Sequence, residues 1–318
     1  MIEEVFLQAG QLVLALAAAP LLLGVTRKVR ARLLRRIGPP LVQPYRDIWK
    51  LMHKEAVLAY NASWLYRVAP YLIFAATWVG AALIPTFASG LPLSSAADLI
   101  AIVALLGTAR FALALAGMDV GTAFGGIGSS REMMIATLAE PAMMLIVLTL
   151  AIAAGTTRLA GVADFFIAEP FAVRVSLALS LVALVIVALA ENARIPVDNP
   201  VTHLELTMVH EAMVLEYSGR HLALIEAASH LKLVLYISLL ICLFAPFGMA
   251  PASAGVTGWL IGLAAWTGKL LFGAALLGVW EVSIAKMRVF RLPDFVGIAF
   301  VFGFLAILLA FLTRGVFA

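Results

Sequence analysis

Long apolar runs separated by polar connections set the pattern of this chain. Eight runs stand out, over roughly residues 3–26, 68–88, 97–117, 132–155, 172–192, 222–246, 256–280 and 295–313. As a helix, each is long enough to cross a hydrocarbon core of about 30 Å. Several contain Gly or Pro, which membrane helices tolerate when neighbours satisfy the freed backbone groups. The pattern predicts an all-α, polytopic membrane fold with about eight transmembrane helices, forming a single integral membrane domain over 1–318. No internal repeat of the kind found in duplicated transporters is visible. The first run opens with Glu3 and Glu4, where a secretory signal requires a basic start, so it reads as a retained span.

The connection after the first run has a pattern of its own. Pro44 is placed to open a helix, and Tyr45, Ile48, Trp49 and Met52 then recur at helical spacing, with Arg46, Asp47, Lys50 and Lys54 between them. This predicts an amphipathic helix lying in the membrane interface. Two roles stay open for it: simple anchoring, or docking a partner and framing an entrance from the lipid.

Composition agrees with a lipid environment. The 318 residues are 64% hydrophobic and 13% charged, against about half and about a quarter in soluble domains. The net charge of +4 comes from bases clustered at the ends of spans, an orientation signal rather than a nucleic-acid surface. The first connection holds Arg27, Lys28, Arg30, Arg32, Arg35, Arg36, Arg46, Lys50, Lys54 and Arg67; the third, fifth and seventh add Arg131, Arg194, Arg220, Lys286, Arg288 and Arg291. The second and sixth hold no Lys or Arg, and the fourth only Arg158 and Arg174. The positive-inside rule then predicts an outward N-terminus and cytoplasmic odd-numbered connections. A single cysteine, Cys242, sits in an apolar run. It cannot hold an iron–sulfur cluster or a structural zinc alone, and reads as a small core residue.

Candidate chemistry lies in ionisable residues at depths that lipid does not accept. Glu140, Arg110 and Lys232 fall within the fourth, third and sixth runs, and Lys269 and Glu281 in or near the seventh. A charge at the bilayer centre costs about 2.5–3.5 kcal/mol on insertion scales, so such residues pair or line a wet path. Alternating acids and bases suit a proton relay, because burial and neighbouring charge tune carboxylates in opposite directions. Static ion pairs that fix helix register are the competing reading, and snorkelling competes for Lys269 and Glu281. The stretch 191–216, with nearby residues, gathers Glu191, Asp198, Glu205, Glu211, Glu216 and Glu226 with His203 and His210 among apolar positions. It reads as a partly buried helical hairpin or as a solvated loop. Glu226 and His230, spaced i, i+4, share a helix face. Ser129 to Glu132 fits a capping box at the start of the fourth helix. Gly125-Gly-Ile-Gly is not a complete dinucleotide fingerprint, and His210-Glu211 lacks the second His of a zinc protease motif.

Three segments carry a resemblance: Arg36-Ile-Gly-Pro-Pro-Leu-Val-Gln-Pro-Tyr-Arg-Asp-Ile-Trp-Lys-Leu-Met-His-Lys-Glu55, Ser129-Ser-Arg-Glu-Met-Met, and Glu191-Asn-Ala-Arg-Ile-Pro-Val-Asp198. Over nearly its whole length the chain resembles the membrane subunit shared by respiratory complex I (its H subunit, or subunit 1) and energy-converting hydrogenases. Asp198-Asn-Pro-Val-Thr-His-Leu-Glu-Leu-Thr-Met-Val-His-Glu211 is more similar to the hydrogenase branch, represented by formate hydrogenlyase subunit 4. Val197 stands where complex I versions usually carry Phe, and His203-Leu-Glu-Leu replaces their acidic stretch. The resemblance implies a non-catalytic subunit of a bacterial or archaeal cytoplasmic-membrane complex that couples ion translocation to a redox arm. The implied partners are hydrogenase large and small subunits, iron–sulfur subunits, antiporter-like membrane subunits and lipid. This chain would hold no cofactor, with a [NiFe] centre and iron–sulfur clusters on the partners. The family carboxylates match Glu140, Glu191, Glu205, Glu211 and Glu216; Glu226, His230, Lys232 and Arg110 complete the candidate proton path. Arg36, Gln43, Asp47, Lys50, Arg194, Asp198, His203 and His210 are the candidate junction with the soluble arm. The quinone-chamber H subunit of an NADH-quinone oxidoreductase and a passive scaffold are the alternatives.

Overall fold

A computed structural model describes residues 2–168, 175–194, 209–251, 253–284 and 291–317. The eight expected runs correspond to α1 (Ile2–Leu33), α3 (Trp64–Leu83), α4 (Leu99–Asp119), α5 (Ala123–Ala154), α7 (Val175–Glu191), α9 (Gly219–Phe244), α10 (Gly255–Ser283) and α11 (Leu292–Phe317). Seven of these are long and apolar enough to cross a membrane. The fifth expected span appears as α7, whose 17 described residues rise about 26 Å at 1.5 Å per residue.

The described residues also form three shorter α-helices, a 3-10 turn at Pro92–Ser95 and a short parallel pairing of Ala88–Ser89 with Ala250–Pro251. The amphipathic helix expected after the first span is α2 (Gln43–Met52), with Pro44 in its first turn. It rests on α1 and α9. The chain reaches it by crossing α1 at Gly24, where a Cβ would lie 2.3 Å from the Leu41 carbonyl oxygen. A ten-residue apolar helix, α6 (Leu159–Ala168), packs on α9 at the opposite end, with Phe166 against Phe244. It is not apparent in the sequence because its apolar run is too short to register as a span. Finally, α8 (His210–Val214) is the described part of the expected hairpin; Asp198, His203 and Glu205 lie outside the described residues.

Apolar packing continues through α1, α3, α4, α5, α7, α9 and α10, with Leu22, Ile102, Ile146, Leu184 and Leu235 buried and Cys242 among them. Large apolar side chains on α1, α10 and α11, including Phe6, Leu260, Phe272, Phe304 and Phe311, face outward, as lipid-facing surfaces require. Buried Gln8 and Gln11 of α1 donate to the carbonyls of Ala82 and Ile84 at the end of α3, satisfying groups that a helix terminus leaves unpaired. Lys269 does the same for Ala245 and Phe247 beyond α9.

The start of α5 differs from the expected capping box. The helix begins nine residues before Glu132, capped by Thr122, whose side chain accepts from the Gly125 amide. Ser129 instead donates to the Ala114 carbonyl of α4 across the helix contact. Glycine makes this early start possible: a Cβ on Gly125 would lie 2.1 Å from the Gly117 carbonyl oxygen. Gly125→Ala is therefore expected to push α4 and α5 apart and to cost about 1–3 kcal/mol or more, as overpacking does. A lowered thermal midpoint of the purified protein in its complex checks this. The same crossing brings Glu132 beside Arg110.

Candidate ion-coupling site

Arg110, on α4, has 5% of its surface exposed and lies among carboxylates from two other helices. Its Nε is 3.3 Å from Glu132 and its Nη1 3.6 Å from Glu140, both on α5. Its Nη2 meets Glu191 at the end of α7. Lys232 of α9 places its Nζ 2.8 Å from the other Glu191 oxygen. Side chains from four helices thus converge on one ionic group. The two cations also sit at the C-terminal end of α7, where the helix dipole favours positive charge.

Opposite charge draws Arg110 to its three acids. Two small cavities meet at Arg110 and Glu191. One, of about 60 Å³, is also lined by Thr77, Glu132, Asn192, His210, Ser229 and Lys232. The other, of about 10 Å³, is lined by Gly107, Glu140 and Tyr236. A water needs about 10–15 Å³ and two or more polar partners, so the first has room for several waters and the second is at the limit for one.

Exposure differs sharply within the group. The side chain of Glu191 is 6% exposed, whereas that of Glu140 is 47% exposed. Glu140 lies near the middle of the 32-residue α5, on a face with Met133, Thr137 and Leu148 that this chain leaves uncovered. Gly107 of α4 stands beside it, with a position for a Cβ 3.6 Å from the carboxylate.

A second ionic group ties the helix ends on the basic side of the bundle. Glu281 of α10, for which the sequence leaves ion pairing and snorkelling open, is paired with Arg194 at 3.1 Å and Arg30 at 3.6 Å. Nearby, Asp47 accepts from Gln43 at 2.8 Å and lies 4.0 Å from Arg27. The expected Glu226–His230 pair forms at 3.6 Å, with His230 buried and Glu226 partly exposed. Tyr217, stacked on Tyr66, donates to the Tyr66 carbonyl. Burial pushes its phenol well above the usual range, so it stays a neutral donor.

Of the expected proton-path residues, the structure brings Arg110, Glu140, Glu191 and Lys232 together. Glu226 and His230 form a separate pair, and Glu211 and Glu216 are exposed near α8. Among the junction candidates, His210 lines the larger of the two cavities, Arg194 belongs to the Glu281 group, Gln43 and Asp47 bond to each other on α2, and Arg36 and Lys50 are exposed. Glu132 is the member that the sequence pattern assigns to a cap. The signal for it lies in the glycines: with α5 starting at 123, Glu132 falls inside the helix, eight residues before Glu140. Among the described residues, no three His, Cys, Asp or Glu side chains are grouped to hold a metal ion.

Comparison with known proteins places these features. The NADH dehydrogenase family model matches residues 7–313. Formate hydrogenlyase subunit 4 of Escherichia coli (strain K12) is 33% identical over 297 residues, covering 93% of this chain and 95% of that protein. Hydrogenase-4 component C of the same organism is 35% identical over 241 residues, covering 76% and 75%. The H subunit of NADH-quinone oxidoreductase from Rickettsia prowazekii (strain Madrid E) is 27% identical over 211 residues, covering 65% and 61%. A chain of the archaeal membrane-bound sulfane sulfur reductase has the same fold, with a TM-score of 0.81 over 96% of this chain and 99% of that one, at 20% identity. With the family model spanning nearly every helix and a relative above 30% identity matched end to end, the chain belongs to the NADH dehydrogenase family of membrane subunits, the one that includes formate hydrogenlyase subunit 4 and the H subunit of complex I.

Proposed function

We propose that this chain is the membrane-anchoring, ion-coupling subunit of a complex I-like membrane-bound hydrogenase or formate hydrogenlyase assembly. Two relatives above 30% identity carry formate hydrogenlyase and hydrogenase names, which supports that branch over a quinone reductase. In this reading the [NiFe] centre and iron–sulfur clusters sit on hydrogenase large and small subunits and iron–sulfur subunits. These dock on the basic, cytoplasmic end, where Arg36, Gln43, Asp47, Lys50, Arg194, Asp198, His203 and His210 are the contact candidates. The N-terminus faces outward.

The observation that carries the coupling role is the Arg110 group, buried at one end and exposed at Glu140. With all members ionised, three carboxylates face one guanidinium and one ammonium, leaving one net negative charge. Burying net charge is costly, and one proton cancels it. Electron transfer in the soluble arm changes the field at the cytoplasmic cavity beside His210. The proton then passes by way of Glu132 and Glu191 to Glu140 and leaves through its exposed face into an antiporter-like neighbour. Glu205, Glu211 and Glu216 belong to the cytoplasmic approach, and Glu226 with His230 to its flank. A passive scaffold requires the same charges to be inert, but a half-exposed carboxylate at mid-span suits a transfer point better than a structural pair.

Purifying the native complex and analysing its subunits and metals tests the assignment. Nickel, iron and antiporter-like subunits are expected in stoichiometric amounts. A complex with flavin and a quinone-reductase composition would overturn it.

A further inference from the structure

Three spans carry a proline in their interior: Pro20 in α1, Pro70 in α3 and Pro141 in α5. The first two are buried, whereas Pro141 is exposed and directly follows Glu140. Proline has no amide hydrogen, so the Thr137 carbonyl loses the donor that position 141 supplies in an unbroken helix, and the ring crowds that carbonyl. The Thr137 hydroxyl adds a second perturbation in the adjoining turn. It donates to the Met133 carbonyl at 2.8 Å, a bond that bends helices slightly. The helix continues through both residues, but at the level of Glu140 it is held by fewer backbone bonds than a regular helix provides.

Close packing grips α5 on either side of this turn. Before the proline, Ser129 donates to the Ala114 carbonyl of α4. A Cβ on Gly128 would lie 2.9 Å from the Val209 carbonyl oxygen and 3.0 Å from the Ala212 Cβ of α8. Immediately after the proline, α11 closes in. A Cβ on Gly303 would lie 3.2 Å from the Leu145 Cβ and 3.4 Å from the Ala142 carbonyl oxygen. Interiors packed this closely transmit displacement rather than absorb it, and a proline turn is where a helix yields. The part before the proline carries Glu132 and touches α8, whose first residue, His210, lines the larger cavity. Glu140 sits on the weak turn itself, with its carboxylate 3.6 Å from Arg110.

We propose that Pro141 is the positioning residue of Glu140: it gives α5 a compliant turn through which displacement of α8 moves the Glu140 carboxylate relative to Arg110. The inference rests on the ion-coupling reading above and adds how the two ends of the site communicate. As a carboxylate, Glu140 is held towards Arg110 by opposite charge. On taking up a proton it becomes neutral and that hold is lost. Releasing the same proton at the exposed face restores the charge and the attraction. A helix that yields at this turn lets the carboxyl group alternate between the two positions while the packing on either side stays intact. A regular helix would fix it at one distance.

The test compares Pro141→Ala and Pro141→Gly in the native complex, measuring hydrogen turnover and ion translocation in proteoliposomes and the thermal midpoint of the same preparations. Alanine returns the missing donor to Thr137 and is the strongest helix former, while glycine returns the donor but leaves the turn weak. Pro141→Ala is expected to keep hydrogen turnover and to preserve or raise the thermal midpoint, because an interior proline destabilises a helix. Ion translocation per hydrogen is expected to fall by about tenfold or more, within the roughly hundredfold that a misplacement of about 1 Å can cost. Pro141→Gly should retain several-fold more translocation than Pro141→Ala. A proline with a structural role only predicts the reverse, a shifted midpoint with translocation unchanged. Normal translocation by Pro141→Ala, equal losses in the two variants, or failure of Pro141→Ala to assemble would each overturn the inference. Glu140→Gln in the same vesicles separates the two readings. If it uncouples while Pro141→Ala pumps normally, the hinge fails alone; if it pumps normally, the ion-coupling reading fails and takes the hinge with it.

Discussion

Glu140→Gln is expected to leave hydrogen turnover by the assembled complex close to its normal rate while ion translocation into vesicles falls by about a hundredfold or more, the contribution typical of a positioned proton-transfer group. Glutamine keeps the size and polarity of the side chain, so α5 and its contact with Gly107 should be undisturbed. What it removes is the ability to take up and release a proton at the one acid of the Arg110 group that opens onto an uncovered face. The redox chemistry belongs to other subunits in the proposed assembly and continues without it. The measurement is paired: hydrogen evolution or uptake, and dye-reported acidification, in the same proteoliposomes. From sequence alone, Glu216 carries the same expectation as Glu140. The structure leaves Glu216 exposed at the bundle's end, and Glu216→Gln is expected to reduce coupling by less than Glu140→Gln does. Normal pumping by the Glu140 variant would remove the proton path from this side of the molecule.

How much of the molecule is legible in its sequence depends on what each feature rests upon. The spans are legible because their cause is local: a helix that crosses lipid must be apolar over its own length. The amphipathic α2 is legible for the same reason, through Pro44, Tyr45, Trp49 and Met52. Arg110, Glu140 and Lys232 can be singled out because a charge in an apolar run stands out, but their partners cannot be assigned. Pairing Arg110 with Glu191 depends on α7 ending at the depth of Lys232, a matter of tertiary packing that no periodicity encodes. Glu132 is misassigned because Ser129-Ser-Arg-Glu fits a capping box in isolation. The true start at Thr122 becomes apparent only when Gly117 and Gly125 allow α4 and α5 to touch. Glu281 is ambiguous because its partners, Arg30 and Arg194, come from segments far away in the chain.

Arg110→Met is expected to be among the most destabilising substitutions in the bundle, at about 3–5 kcal/mol, the range for removing one partner of a buried ion pair. Methionine replaces much of the apolar stem but removes the charge that Glu132, Glu140 and Glu191 share, leaving three acids to Lys232 alone. The cost comes from the carboxylates left behind more than from the lost contacts. Adding Glu191→Gln to Arg110→Met should therefore recover part of the loss, because it deletes the most buried of those acids. The two changes should be non-additive by about 0.5–3 kcal/mol, as for residues in one network. Thermal midpoints of the four members of this double-mutant cycle, measured on the assembled complex, decide the matter. If the single change proves neutral, or the double variant loses the full sum of the two, Arg110 is not what holds these acids inside the bundle. The Glu191–Lys232 pair would then have to carry the group alone.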